Sequence, residues 1–338
     1  MLPASEKSCV RYYHLLDVIM FFMAVVVVAI HTQPLIDCPN LMLRRAFDLV
    51  SHCAVPFFFL RSGFFLEQKI VDKEKDYALS AIKKYTKRII KLYVFWTIVY
   101  LPLAIYGFCI NDIPVLKSCF YYVRGFLFIG EQFNSWILWY LLSMIYALCL
   151  IFLLKKINAG KFMFVFVACF FYGISVFLNL IVANQVFTGQ AFDLMLECVI
   201  KVLGGSGRLF TGLFFMVVGM LIARLKIPHV ISVILLFVTI FLDWCGVPHF
   251  VNCVLFSTSL FLICKEVNSS KEISLCLYLR KISVSTYFIH LWVWTVFYLV
   301  VYGEKTFGVI PFLATISITI LLSVLYLLRL YSFRSLQK

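Results

Sequence analysis

Charged residues are scarce in this chain. Only 14% of its 338 residues are Asp, Glu, Lys or Arg, whereas soluble domains carry about 25%. Hydrophobic residues make up 63%, and one water-soluble core of this length cannot bury so many. The composition therefore excludes an ordinary soluble protein and predicts a polytopic membrane protein.

Motifs for metal or nucleic acid are also missing. The twelve cysteines are scattered singly, without a Cys-x-x-Cys pair or a zinc-like spacing near histidine. The net charge is +14, but the basic residues lie between apolar runs rather than on a soluble module. Residues in such places orient helices and meet anionic headgroups. We therefore expect membrane lipid as a partner, with no nucleic acid and no metal.

Long apolar runs dominate the sequence. A spanning helix needs about 20 predominantly apolar residues, and the runs predict an all-α membrane bundle of about ten transmembrane helices in a single integral membrane domain, 1–338. Two further segments, 117–128 and 188–203, fit amphipathic helices in the membrane interface. The ten predicted spans are 15–35, 46–66, 89–109, 136–154, 162–182, 209–224, 229–244, 247–264, 282–302 and 308–330.

The basic residues between these spans predict an orientation. With the N-terminus inside, 22 of the 30 lysines and arginines fall in inner segments and 7 in outer ones. Because cytoplasmic loops carry the excess of Lys and Arg, both termini are predicted to be cytoplasmic, in a multi-pass protein of the cell membrane.

Ionisable residues inside the first span are candidates for function, because they are costly in lipid. Asp17 and His31 are fourteen residues apart, about 21 Å along a helix, so they can share a stripe but cannot touch. Asp17 also fits a solvated helix start, and His31 also fits an interfacial histidine bonded to a neighbour. The residues alone leave these alternatives open.

Other polar residues lie in later spans. His52 and Arg61 are nine residues apart and face opposite sides of the second helix. Tyr287 and His290 stand at i, i+3 and share a face, as a structural or a catalytic pair. The basic stretch 83–91 fits either a topology determinant or a clamp for a phosphorylated cofactor.

Six strings in chain order resemble the membrane acyltransferase-3 family of integral membrane O-acyltransferases. Each string is mostly aromatic and aliphatic, and their order along nearly the whole chain makes the resemblance specific. The strings are Val28-Ala29-Ile30-His31-Thr32, Ala54-Val55-Pro56-Phe57-Phe58-Phe59-Leu60-Arg61-Ser62-Gly63-Phe64-Phe65, Lys87-Arg88-Ile89-Ile90-Lys91-Leu92-Tyr93, Trp136-Ile137-Leu138-Trp139-Tyr140-Leu141-Leu142, Gly212-Leu213-Phe214-Phe215-Met216-Val217-Val218-Gly219 and Ser285-Thr286-Tyr287-Phe288-Ile289-His290.

The resemblance implies a ten-helix fold and an acyltransferase that transfers groups other than amino-acyl groups. It implies acetyl-CoA, or another acyl-CoA, as donor and a hydroxyl of an envelope polysaccharide or lipid-linked sugar as the site of O-acetylation. The resemblance implies catalysis by His31 and cofactor binding by Arg88 and Lys91. For the same acyltransferase we further expect Asp17 to assist the catalytic site by shaping the cofactor entrance, and Lys87 and Arg61 to add cofactor contacts. Tyr287, His290 and Trp139 are expected to bind the acceptor.

The chain departs from the family pattern in a few places. Met20 stands where the family usually has arginine, Lys91 replaces the second arginine of Arg-x-x-Arg, and Arg61 stands at a usually uncharged position. The strings 31–35 and 54–59 also resemble the membrane domain of vancomycin-resistance-type serine racemases. The alternative is therefore a non-catalytic transporter or binding module for a small polar molecule.

Overall fold

Every regular element in the described part of the chain is helical. The computed structural model describes residues 11–184, 191–204 and 207–336. A π-helical turn, Gly125–Ile129, and a 3-10 turn, Trp136–Leu138, accompany the α-helices. The α-helices of the described residues are α1 His14–Thr32, α2 Leu41–Ile70, α3 Lys75–Ile110, α4 Val115–Arg124, α5 Trp139–Lys156, α6 Lys161–Asn184, α7 Ala191–Leu203, α8 Arg208–Arg224, α9 His229–Trp244, α10 His249–Glu266, α11 Ser274–Val301 and α12 Val309–Leu336.

The predicted all-helical membrane architecture is confirmed. Each of the ten predicted spans overlaps a helix of its own, and α4 and α7 occupy the two segments assigned to the interface, as far as these are described. Seven helices among the described residues are long and apolar enough to cross a membrane: α1, α2, α3, α5, α6, α11 and α12. The chain is thus a multi-pass membrane protein, while ten spans and cytoplasmic termini stay predictions.

The chain divides into two compact units, and each is considered by itself. The first contains residues up to 54, 227–293 and 306 onwards, and the second contains 55–226 and 294–305. Helices α2 and α11 contribute residues to both. The single domain predicted for 1–338 remains a prediction, and residues 1–10, 185–190, 205–206 and 337–338 lie outside the described part.

In the first unit, α1 packs against α10 and α12, and α9 packs against α10. Leu16, Met23 and Val28 form the buried side of α1. The N–H of Gly308 donates to the carbonyl of Thr32 at 2.8 Å. This bond joins the segment before α12 to the end of α1, where His31 lies.

In the second unit, α8 packs against α5 and α6, and α3 packs against α5. Two glycines allow α2 and α8 to approach closely, because a methyl group at Gly63 would overlap the carbonyl of Met216 and one at Gly219 would overlap that of Leu60. Small residues permit such contacts between membrane helices. Both glycines belong to the strings that carry the family resemblance, so close packing gives those strings a structural reason.

Candidate functional site

The structure brings His31 and His290 together. His31 lies in the last turn of α1 and is half-buried, and His290 lies in α11 with no exposed surface. Their ring centroids are 5.4 Å apart, with 29° between the ring planes. Both residues belong to the first unit. Two histidines that the sequence offered for different roles therefore form one pair.

A backbone carbonyl fixes the orientation of His290. Its Nδ1 lies 3.0 Å from the carbonyl oxygen of Thr286. Since a carbonyl can only accept, Nδ1 carries the proton and Nε2 has a free lone pair. Nε2 is buried and has no hydrogen-bond partner among the described residues, and the same holds for Oγ1 of Thr286. Buried polar atoms are nearly always bonded, so this lone pair is available to a ligand or a water.

Tyr287 lies beside this pair. Its side chain is buried, and its ring centroid is 6.4 Å from that of His290 in an edge-on arrangement. The i, i+3 neighbourhood expected from the sequence is therefore present. The assignment of Tyr287 and His290 to the acceptor stays a prediction.

Asp17 lies near the opposite end of α1 from His31, about 21 Å away along the helix axis. Its carboxylate is buried and pairs with Arg280 of α11 at 3.8 Å. Arg280 precedes His290 in α11 just as Asp17 precedes His31 in α1. The ion pair and the histidine stack therefore join two helices that run in the same direction. A catalytic role for Asp17 stays a prediction, and any such role is separate in space from His31.

The predicted cofactor cations belong to the second unit. Lys87, Arg88 and Lys91 are exposed on α3, and Lys91 is a surface neighbour of each of the other two, at i, i+4 and i, i+3. Within the part of the chain that the structure describes, none of the three forms an ion pair. Arg61 is partly buried, with its guanidinium 4.9 Å from the ring centroid of Phe65. The three α3 cations thus remain available to an anionic ligand.

Helix α3 is also long enough to carry these cations out of the lipid. It has 36 residues, about 54 Å at 1.5 Å per residue, and a hydrocarbon core is about 30 Å thick. Its basic stretch comes within its first half. This part can lie beyond the hydrocarbon, where a soluble donor can reach it.

Trp139 begins α5 in the second unit and is half-buried. The guanidinium of Arg208 lies 5.6 Å from its ring centroid, and Arg208 also forms an ion pair with Glu131. A charged pair therefore borders the tryptophan that the sequence assigned to acceptor binding.

The sequence analysis missed a cluster of two tryptophans and a lysine in this unit. The ammonium of Lys305 lies 4.6 Å from the ring centroid of Trp136 and 5.2 Å from that of Trp294, and the two ring centroids are 6.4 Å apart. Partial burial lowers the pKa of Lys305. The available signal was tryptophan near the ends of apolar segments, which is ordinary for a membrane protein.

A second histidine pair was also missed. His52 of α2 and His249 of α10 stack with ring centroids 4.8 Å apart and planes within 3° of parallel. Both are exposed on the protein surface. Among the described residues, no group of three or more His, Cys, Asp or Glu side chains has an arrangement that could hold a metal ion.

Comparison with known proteins identifies the family. The acyltransferase domain of the acyltransferase-3 family matches residues 13–328, nearly the whole chain. The chain belongs to this acyltransferase family. Its match includes both histidines of the buried pair and all predicted cofactor cations.

Two relatives of this acyltransferase-family chain are amino-acid racemases of Enterococcus faecalis. One is 27% identical over 156 residues, which is 46% of this chain and 21% of the racemase. The other is 30% identical over 155 residues, which is 44% of this chain and 20% of the racemase. The chain thus spans about a fifth of the length of these relatives. No solved structure matches it significantly.

Proposed function

We propose that the protein is an integral membrane O-acyltransferase that moves an acetyl group from acetyl-CoA to a hydroxyl of an envelope sugar. One observation carries the proposal: His31 stacks on a fully buried histidine whose Nε2 has no partner among the described residues. A buried lone pair without a partner is costly for stability. Such costs are characteristic of sites where a substrate supplies the missing contact.

Acyl transfer needs a base at this place. In the proposed step the acceptor hydroxyl oxygen attacks the thioester carbonyl while His31 takes the hydroxyl proton. The new ester C–O bond replaces the C–S bond, and coenzyme A leaves as its thiol after the imidazolium returns the proton. An imidazole suits both transfers, because its ordinary pKa lies near neutral pH. His290 keeps its Nδ1 proton on Thr286 and accepts a hydrogen bond from the substrate at Nε2.

The donor's phosphates are proposed to bind Arg88 and Lys91, with Lys87 and Arg61 as further cations. Arginine and lysine suit phosphate oxygens, and arginine adds a bidentate fork. The exposure of Lys87, Arg88 and Lys91 on α3, a helix longer than the membrane is thick, supports this role. Arg280 brings a guanidinium to Asp17, three residues before Met20, and this cation, like Arg61, is proposed to compensate for the arginine that the chain lacks at Met20.

We also propose ten spans with both termini in the cytoplasm of a bacterial cell. One separate helix for each apolar segment supports the count. The common direction of α1 and α11, implied by their two contacts, fits a first and a ninth span. Donor binding then occurs on the cytoplasmic side.

A second candidate function is binding or transport of a small polar molecule without acyl chemistry. The two similar racemases favour it, because sequence related to nearly half of this chain occurs in proteins whose name refers to amino acids, which are small polar molecules. Acetyl-CoA distinguishes the candidates, since only the transferase must bind and consume it.

The test is turnover of acetyl-CoA by the purified full chain in detergent, with released coenzyme A measured by chromatography. Loss of one charge-assisted phosphate contact in Arg88→Ala is expected to raise the KM for acetyl-CoA about tenfold or more. Lys156→Ala is the matched control, because Lys156 is an exposed cation at the end of α5. Absence of both binding and turnover in the wild type would favour the transporter.

A further inference from the structure

Two cysteines from distant parts of the sequence meet in the first unit. Cys53 lies in α2 and Cys253 lies in α10. The sulfur of Cys53 is 3.8 Å from the carbonyl oxygen of Cys253, and the sulfur of Cys253 is 3.2 Å from the carbonyl oxygen of His52. The two thiols also interact with each other. Each sulfur therefore lies against the other helix at the level of the other cysteine.

The two thiols differ in their access to solvent. Cys53 has no exposed surface and belongs to a buried apolar cluster with Leu49 and Phe256, against which Cys253 packs. Cys253 itself is half-buried. Oxidation of a thiol follows its exposure, so a reagent in solvent meets Cys253 first and reaches Cys53 only through Cys253.

The exposed histidine pair shows that both cysteines lie close to a polar surface. Cys53 directly follows His52, and Cys253 follows His249 by four residues, about one turn of α10. In the orientation proposed above, α2 and α10 both begin on the outer side of the membrane, where these residues lie. Disulfides form and persist at cell surfaces, whereas the cytosol keeps thiols reduced.

We propose that Cys53 and Cys253 are a site of oxidative modification, at which a disulfide compound converts the two thiols into a bond between α2 and α10. A disulfide forms only between cysteines whose side chains face each other, and the mutual contacts of these two thiols meet that requirement. The bond would close a loop of about two hundred residues, and long loops are the ones whose closure restricts the unfolded chain most.

The proposed oxidation proceeds in two exchange steps. The Cys253 thiolate attacks one sulfur of the oxidant, whose S–S bond breaks, and half of the oxidant leaves as a thiol. Cys53 then attacks the Cys253 sulfur of this mixed disulfide, and its proton goes to the second half as that half leaves. The two cysteines lose two electrons and two protons together, and the oxidant is reduced to two thiols.

The test is oxidation of the purified full chain in detergent with oxidised glutathione. Remaining thiols are then blocked with N-ethylmaleimide in denaturant, and non-reduced peptides are identified by mass spectrometry. We expect a Cys53–Cys253 disulfide in most chains. Cys53→Ser should leave glutathione on Cys253, about tenfold or more above the amount that Cys253→Ser leaves on the buried Cys53. Cys264→Ala is the matched control, since Cys264 is another buried cysteine of α10, and it should form the disulfide as the wild type does.

A second arm applies the same analysis to cells whose thiols are trapped with trichloroacetic acid, and the same disulfide is expected there. Three results would overturn the site. These are N-ethylmaleimide on both cysteines of the oxidised wild type, pairing of Cys253 with an exposed cysteine such as Cys245, and a disulfide that forms in the purified protein but is absent from the trapped cells. Neither arm measures acyl transfer, so the result is independent of the proposed transferase.

Discussion

The first unit contains two stacked histidine pairs that are alike in construction. In each, one histidine directs Nδ1 to the carbonyl four residues before it, His290 to Thr286 at 3.0 Å and His52 to Asp48 at 2.7 Å. In each, that ring stacks on a second histidine from another helix. The pairs differ in burial, because His290 has no exposed surface while His52 and His249 are both exposed.

Burial changes which hydrogen-bond partners the second ring nitrogen of each histidine can find. An exposed imidazole can satisfy its second nitrogen with solvent, whereas a buried one depends on protein, trapped water or ligand. His249 begins α10 directly after the turn from α9, and at the end of α9 Asp243 pairs with Arg45 at 4.0 Å. Such exposed pairs stabilise proteins only slightly. The exposed pair thus serves as an internal control for the buried pair.

The largest expected effect is a difference in acetyl-transfer activity between variants of the buried and the exposed histidine pair. His31→Ala should lower acetyl transfer from acetyl-CoA by about 10²–10⁴, the usual contribution of a general base. His52→Ala should change it less than twofold. Initial rates at saturating acetyl-CoA, with protein amounts matched by quantitative immunoblotting, check both variants.

Equal rates for His31→Ala and the wild type would remove the proposed base. Equal losses in both variants would show that the rings matter for packing alone. A thermal unfolding midpoint measured on each detergent-purified variant distinguishes a folded inactive protein from a misfolded one.

A second prediction concerns the free nitrogen of His290. A glutamine side chain can place an oxygen acceptor near the position of Nε2, whereas asparagine reaches only the position of Nδ1. His290→Gln should therefore retain about ten times more activity than His290→Asn, since one hydrogen bond to the substrate is kept. The same two changes at His249 should not differ, and an equal loss in both His290 variants would contradict an acceptor role for Nε2.

Apolar runs predicted the helices well, but their ends poorly. Helix α3 begins at Lys75, fourteen residues before the predicted start of its span at 89, because hydropathy marks only the part that meets lipid. Lysine, alanine and arginine favour helix in water as well, so the helix continues through the basic stretch. The lengths of α2 and α11 exceed their predicted spans for the same reason.

The candidate site was predictable as residues but not as a pair. His31 and His290 are each suspect because a membrane interior rarely contains an ionisable side chain. Their contact joins helices from opposite ends of the sequence, and no local periodicity reports it. The cluster of Trp136, Trp294 and Lys305 shows the same limit, since tryptophan near a membrane boundary is ordinary until its neighbours are known.

A third prediction uses accessibility. Diethyl pyrocarbonate modifies neutral imidazole nitrogens that it can reach. His52 and His249 should be modified at least tenfold faster than His290 in the folded protein, with peptide mass spectrometry as the readout. After unfolding in detergent and urea the rates should converge. Equal rates in the folded protein would mean that His290 is reached from outside and that the contrast in burial is wrong.

The smallest expected effect concerns the hydroxyl beside the buried pair. Thr286→Val keeps the carbonyl that orients His290 and removes an Oγ1 that has no partner in the described part of the protein. Thermal stability should therefore not fall, while the KM for a substrate should rise about two- to tenfold if the hydroxyl binds it. Thr319→Val is the control, because its hydroxyl donates to the Thr315 carbonyl at 2.6 Å and its loss should lower stability by about 1 kcal/mol without changing KM. If Thr286→Val instead lowers the unfolding midpoint and leaves KM unchanged, the hydroxyl is structural. Of the two polar atoms without a partner at Thr286 and His290, only Nε2 of His290 would then be a candidate contact for a substrate.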